Sequence, residues 1–407
     1  MIFNESKYNE HWQDKKLSDL GAFRRGKSRH RPRNDPKLFE NGIYPLVQTG
    51  EVKSTELYIR SHSAAYSELG LAQSAIWPEN TLCITIAANI AETALLGYPM
   101  CFPDSVVGFN ADSEESSELF MHYVFTYIRK AIQNSASGSI QDNINIDYLT
   151  ALRFKVPVKT YQDKIVEVLS LLDKKLELNN RIHSELEAMV KIVYDYWFVQ
   201  FDFPDTDGKP YKTSGGKMVY NEGLKREIPN GWQVKELSEI ATIKAGGDKP
   251  KVFSEEVTLK CSVPIYSNGV KDYGLYGYTD QAKIKEPSVT ISARGTIGVS
   301  FLRMIPFVPI IRLIVVTPND QAYLKYIDEY IKSIEFDNSG SVQRQLTAPQ
   351  VSRQKIILPY KDLLEKFVCV TSNGVSKIEN IKAENSELIK LRDWLLPMLM
   401  NGQVTVK

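Results

Sequence analysis

Residues 12–20 read WQDKKLSDL and residues 232–240 read WQVKELSEI, with Trp, Gln, Lys, Leu and Ser at the same spacing. The echo continues in order. YPLVQTG (44–50) faces VPIYSNG (263–269), TIAANIAETALL (85–96) faces TISARGTIGVSFL (290–302), and SGSIQDNI (137–144) faces SGSVQRQL (339–346). From there the offset holds at 202, through FKVP against IILP and SEL against SEL; earlier it is 220. A repeat of roughly 180–200 residues is far longer than a solenoid unit of ~20–50. It therefore predicts one domain-sized architecture built twice, the copies differing in loop length.

Within each copy the hydrophobic pattern changes character. Short apolar runs (YPLVQ, TLCITIA, SVVGF) alternate with turn residues and read as strands, with one helical stretch at 117–132. In the second copy PSVTISA, GVSFL and IIRLIVV read as strands and 321–334 as the helix. Beyond Pro157 a heptad seam runs through Ile165, Leu169, Leu172, Leu176, Asn179, His183, Leu186, Val190, Val193 and Trp197, a helix of about 50 Å. Beyond Pro359 the seam is Val368, Val375, Ile378, Ile381, Asn385, Leu388, Leu391 and Leu395. This second helix is expected to be shorter, frayed near Gly374 and stopped near Pro397. Asn179, His183 and Asn385 interrupt the seams; they mark either a solvated edge or buried polar groups that select one helix register. Residues 201–232, rich in Pro, Gly, Asp and Lys, read as an ordered but irregular linker. Each copy is thus a mixed α+β globule followed by a long helix.

Catalytic patterns are scarce. Gly21–Ser28 satisfies GxxxxGK[ST], but a phosphate-binding loop needs an apolar strand before it and a helix after it. Here WQDKKLSDL reads as helical or irregular, RHRPRNDP follows with two prolines, and the second copy (IKAGGDKPK) lacks the pattern. No GxGxxG, HExxH, GxSxG, methyltransferase tetrapeptide or helicase box occurs. Four separated cysteines without CxxC argue against a disulfide framework or zinc site. No metal ligands or catalytic residues are assigned. With 50 basic and 49 acidic residues, bulk charge neither announces nor excludes a polyanion partner. A polar N-terminus and the lack of a long apolar run predict a cytoplasmic protein without membrane contact.

Local charge is more telling. Arg24, Arg25, Lys27, Arg29, His30, Arg31 and Arg33 crowd into ten residues, and Lys244, Lys249 and Lys251 stand in the corresponding loop of the second copy. Such a loop is either a solvated mobile segment or a set of phosphate and base contacts. The SGS loops offer Ser137, Ser139 and Gln141 in one copy and Ser341, Gln343, Arg344 and Gln345 in the other; they are base-reading candidates or ordinary turns. Arg294 is a weaker candidate, with Asn89 as its counterpart. Two like globules with unlike loops, held apart by long helices, suggest a reader of two separated short DNA words, the helices acting as a ruler.

The order globule–helix–globule–helix, the WQxxxLSxL entries, ISARGTIG, SGSxQ and the stretch FDFPDTDGKPYKTSGGKMVYNEGLKREIPNGW together resemble the specificity (S) subunit of type I restriction–modification systems. The resemblance implies an α+β fold: two similar mixed α/β target-recognition domains at 1–157 and 231–359, a linker at 201–230, and two long antiparallel coiled-coil helices at 158–200 and 360–407, related by an internal pseudo-two-fold. It implies a non-catalytic chain that reads a bipartite, asymmetric double-stranded DNA target, docks two methyltransferase (M) subunits and is joined by restriction (R) subunits. S-adenosylmethionine would then sit on M, with ATP and magnesium on R, and no cofactor on this chain. The less favoured readings are a stand-alone DNA-binding regulator and a P-loop NTPase.

Overall fold

The computed structural model describes residues 12–55, 57–87, 89–137, 146–336 and 345–406. The chain forms two compact units, Met1–Arg181 with Ile381–Lys407, and Ile182–Asn380. In the first, the strands are β1 (Gln13–Lys16), β2 (Gly21–Arg25), β3 (Tyr44–Leu46), β4 (Tyr58–Ile59), β5 (Ala64–Tyr66), β6 (Ile76–Trp77), β7 (Leu82–Thr85), β8 (Thr93–Leu96), β9 (Met100–Cys101), β10 (Val106–Ala111) and β11 (Arg153–Val156). Short helices α1 (Thr49–Ser54) and α2 (Glu68–Ala72) precede α3 (Glu118–Ser137) and α4 (Ile146–Ala151). Sheets run β2-β10-β7-β8-β4, β5-β3-β9-β6 and β1-β11.

TLCITIA reads as an unbroken apolar run because β7 is covered on both faces. Leu82 and Ile84 pack with Leu95, Val107 and Phe109 against Phe120, Val124 and Ile128 of α3. Cys83 and Ala94 point the other way, toward Trp77, Met100 and Phe102 of the second sheet. On α3, His122 is buried and bonded to Thr93 Oγ1 at 3.1 Å. Burial, reinforced by Arg129 and Arg392, pushes its imidazole from 6.5 down to about 3. The unfolded chain takes up this proton near pH 6.5 and the folded chain only near 3, so the folded state loses stability as pH falls through that window, by ~1.4 kcal/mol per pH unit. In denaturant titrations across the window, His122→Asn is expected to flatten the pH slope of unit 1; an unaltered slope would contradict the assignment.

The second unit repeats the plan of the first with one strand fewer in each of the two larger sheets. β14 (Gln233–Glu236), α6 (Leu237–Ile240), β15 (Ala241–Ala245), β16 (Val263–Tyr266), β17 (Leu275–Thr279), β18 (Ser288–Ile291), β19 (Ser300–Arg303), β20 (Val308–Pro309), β21 (Ile314–Pro318), α7 (Leu324–Ser333), α8 (Ala348–Ser352) and β22 (Lys355–Leu358) form sheets β15-β21-β18-β19, β17-β16-β20 and β14-β22. Even the parallel pair recurs: β3 with β9, and β16 with β20. So does the reciprocal cap on the turn after the first strand, where Asp19 accepts from Lys16 N and Glu239 from Glu236 N, each at 2.8 Å.

The long helices are α5 (Lys159–Tyr194), which continues into a π-helical turn over Asp195–Val199, and α9 (Lys361–Met400). Their ends belong to the globule cores rather than standing apart as a coiled coil. Ile165, Leu169, Leu396 and Leu399 join the core of unit 1, while Val190, Trp197, Phe198, Leu364 and Phe367 join that of unit 2. The pairing is antiparallel. In unit 1, Asp173 Oδ1 meets Arg392 Nη1 at 3.2 Å and Asn179 Nδ2 donates to Asn385 Oδ1 at 2.9 Å; in unit 2, Gly374 faces Val190.

Several expectations need correction. WQDKKLSDL is strand β1 plus one tight turn, since it pairs with β11. α9 is neither shorter than α5 nor frayed: it runs unbroken through Gly374 and Pro397. A Cβ on Gly374 would meet the Val190 side chain at 3.7 Å, an ordinary packing distance, so the helix accommodates this glycine without a steric need for it. Pro397 lies three residues from the end of α9, so its missing amide costs one bond close to the helix terminus, and its carbonyl still accepts from Asn401 N at 3.0 Å. Phe367, Thr371, Ile378 and Ile381 are the buried seam positions there, leaving Val368 and Val375 one residue off and half-buried. Leu391 is 42% exposed because Arg392 takes the seam position against Asp173. Inside the stretch read as irregular lies an antiparallel hairpin, β12 (Met218–Asn221) with β13 (Arg226–Pro229).

Candidate nucleic-acid interface

In both units the first sheet strand ends at a glycine that other backbone crowds. Gly26 N donates to Val106 O at 2.9 Å, and a Cβ there would lie 2.2 Å from Pro103 O. Gly246 N donates to Leu313 O at 2.7 Å, with a Cβ position 2.8 Å from Pro309 C. The cations that follow are therefore launched from the same corner of each sheet. The GxxxxGK[ST] match is thereby explained without phosphate chemistry: Gly21–Arg25 is strand β2, paired along its length with β10.

In unit 1 the basic cluster sorts into tied and free charges. Arg24 lies opposite Gly108, whose bare Cα admits the Trp77 ring, and the guanidinium sits 5.1 Å from that ring centroid. Arg25 donates to Asp104 O, Arg33 pairs with the Asp104 carboxylate, and Arg31 donates to Ser28 O at 2.6 Å and His30 O at 2.8 Å. His30 Nε2 lies 2.8 Å from Asp35 Oδ2, a bond that, with the Lys37 amide, holds the Asp35 carboxyl below its ordinary value. Lys27 and Arg29 are exposed and have no side-chain partner among the described residues. The tied arginines brace the turn, and the free cations are what it offers to an anion. Lys53 Nζ donates to Asn89 Oδ1 at 3.1 Å, so Asn89 is already engaged.

In unit 2 a chain of hydrogen bonds joins the basic segment to the ARGTIG turn. Ile311 N donates to Gly247 O at 2.9 Å, Asn268 Nδ2 to Ile311 O at 2.6 Å, and Ala293 N to Asn268 Oδ1 at 2.7 Å. Arg294 then extends from this turn, its Nη2 donating to Gln345 Oε1 at 3.0 Å. Lys249 lies 3.2 Å from the Phe253 ring centroid, whereas Lys244 and Lys251 are exposed without a side-chain partner among the described residues. Gln141, Gln343 and Arg344, with Ser139 and Ser341, lie outside the described residues, and Ser137 is described only as the last residue of α3. Sequence reasoning missed Trp77 and Asn268. The only available signal for Asn268 was its place in VPIYSNG, one of the repeated segments.

Along the helices, Asn179 is 2% exposed and also donates to Glu384 Oε2 at 2.7 Å, while Asn385 Nδ2 returns a bond to Asn180 Oδ1 at 2.8 Å. These amides are thus paired across the seam, as register-fixing groups are, and Asn179 is not on a solvated edge. Ile165, Leu169, Leu176, Val190, Ile378 and Ile381 are buried; Leu172, Leu186, Leu388 and Leu395 are half-buried. His183 lies 3.6 Å from Glu187 and 6.4 Å from the Tyr273 ring. The described residues contain no group of three or more His, Cys, Asp or Glu side chains able to hold a metal, and no described helix is long and apolar enough to cross a membrane.

A mixed α/β unit built twice on paired antiparallel helices, with unlike cation-bearing turns at the same sheet corner, defines a duplicated recognition protein. Residues 9–188 and 229–388 match the family described as the type I restriction modification DNA specificity domain. The chain belongs to this family, the non-catalytic specificity subunits of type I restriction–modification systems. It is 24% identical to the type I restriction enzyme MjaIX specificity subunit of Methanocaldococcus jannaschii, covering 97% of this chain and 94% of that one. It is 22% identical to the HindI specificity subunit of Haemophilus influenzae, covering 97% and 99%. The fold is that of the S subunit crystal structure from M. genitalium, at a TM-score of 0.59, 19% identity and 95% and 96% coverage.

Proposed function

We propose that each unit reads one half of a bipartite, asymmetric duplex DNA target, and that the long helices set the spacing between the halves. The observation that carries this reading is the difference between the repeats at one shared place. At the same strand end, unit 1 presents Arg24, Lys27 and Arg29 where unit 2 presents Lys244, Lys249 and Lys251, and Asn89 stands where unit 2 has Arg294. A shared scaffold with unlike side chains at its reading edge is what two different words require. Of the candidates, Lys27, Arg29, Lys244 and Lys251 are assigned to phosphates, and Arg294, Gln343, Arg344, Ser137 and Gln141 to base edges. Arg25, Arg31 and Arg33 support the turn.

On this reading two methyltransferase subunits bind the helices, supplying S-adenosylmethionine, and restriction subunits bring ATP and magnesium. A repeated apolar patch supports a two-fold docking: Met189 and Ile192 are 61% and 66% exposed, and Leu391 and Trp394, 202 positions on, are 42% and 55% exposed. Large apolar side chains left in water at equivalent helix positions mark a partner surface.

The test of the DNA face is electrostatic. In the assembled complex, Lys27→Ala with Arg29→Ala is expected to lower the slope of log affinity against log salt by about 0.9 for each lost phosphate contact, weakening all sequences alike. Filter binding from 50 to 200 mM salt reads this out, and an unchanged slope would remove these residues from the interface.

A further inference from the structure

The two units treat the tryptophan that opens each repeat differently. In unit 2 the chain leaving α5 lays two phenylalanines over Trp232: Phe203 stacks on it at 5.1 Å and on Tyr211 at 4.6 Å, and Phe201 meets it edge-on at 5.6 Å. Phe201, Phe203 and Trp232 are nearly fully buried. In unit 1 the counterpart of Trp232 is Trp12, and the residue 202 positions after Phe203 is Thr405. Trp12 and Thr405 line a cavity of about 310 Å³ with Pro157, Val158, Tyr161 and Lys164. The path of the chain beside it is fixed, because the Tyr161 hydroxyl accepts from Val406 N at 3.1 Å and reaches Val404 O at 3.4 Å. Unit 1 therefore keeps the tryptophan of unit 2 but has Gln403 and Thr405 at the positions of the two inserted rings.

We propose that this cavity docks a turned segment of a partner polypeptide with Phe–acid–Phe chemistry, two aromatic rings flanking a carboxylate. It would repeat in trans what Phe201-Asp202-Phe203 does within unit 2. In unit 2 the left-handed backbone of Phe201 (φ 66°) turns the segment so that the Phe203 ring stacks on Trp232 and the Phe201 ring meets it edge-on. Lys164 at the rim is exposed and has no ion-pair partner among the described residues, so it complements the intervening acid. None of the residues lining this cavity is among those assigned to the DNA face or to the exposed apolar positions of the helices, so its occupant is tested separately from that reading.

The probe is a synthetic peptide of residues 199–208 (VQFDFPDTDG), titrated calorimetrically into the full chain. Saturable one-site binding is expected, weakened at least about tenfold when the peptide carries Phe203→Ala and when the chain carries Trp12→Ala or Thr405→Phe. Thr405 is exposed, so its replacement leaves folding intact and decides the matter if Trp12→Ala is unstable. No saturable heat up to about 1 mM peptide, or equal affinity for Thr405→Phe, would overturn the proposal. So would tenfold tighter binding to a chain lacking residues 1–11, which would give the cavity to the chain's own N-terminal segment.

Discussion

Phe367→Ala is expected to destabilise unit 2 by about 3–5 kcal/mol, lowering its unfolding transition by on the order of 10 °C. Phe367 is fully buried, with the rings of Phe198, Trp197 and Tyr194 at 5.1, 6.0 and 6.4 Å. It is where the start of α9 and the end of α5 meet the β-sheet core, so truncation empties a site bounded by three elements that cannot all collapse inward. Leu391→Ala supplies the control: its side chain is 42% exposed, and the change should stay within about 0.5 kcal/mol. Calorimetry of the two variants side by side measures the contrast. Equal effects would mean that the buried seam lies elsewhere.

The second large effect concerns assembly. Ile192→Asp is expected to remove one methyltransferase subunit from the complex, Trp394→Asp the other, and the double variant both. Burying a carboxylate against an apolar partner face costs several kcal/mol, enough to abolish a contact of ordinary affinity. Both side chains are more than half exposed, so the isolated variants should unfold at the wild-type temperature. Native mass spectrometry of the co-purified complex counts the subunits. If one substitution released both partners, or the double variant released neither, the two-fold docking on the helices would be wrong.

Much of this architecture was legible because it is written twice. Each strand inferred in one repeat could be checked against its partner, and buried strands such as Leu82–Thr85 announce themselves by having no polar letter facing water. The heptad through Ile165, Leu169 and Leu176 was equally plain. The seam of α9 was not, because Thr371, Gly374 and Arg392 occupy it and none of them looks apolar. Arg392 owes its place to the opposing helix, where Asp173 receives it, and Thr371 is accommodated by donating its hydroxyl to Phe367 O at 2.8 Å. The entry strand β1 escaped notice for a related reason. Its QDKK sequence has no apolar alternation, and its pairing with β11 is supplied by residues more than a hundred positions away. At the candidate site, charge was legible and its disposition was not. Only the fold reveals that Arg25, Arg31 and Arg33 are spent on Asp104 and nearby carbonyls while Lys27 and Arg29 stay free.

Genome-wide methylation mapping tests the central claim most directly, in a host carrying this chain with its methyltransferase and again after residues 12–157 are exchanged for those of a relative. The account predicts a split site in which one half changes and the other half and the spacer persist. A site altered in both halves, or a single uninterrupted word, would contradict two separate readers on one pair of helices.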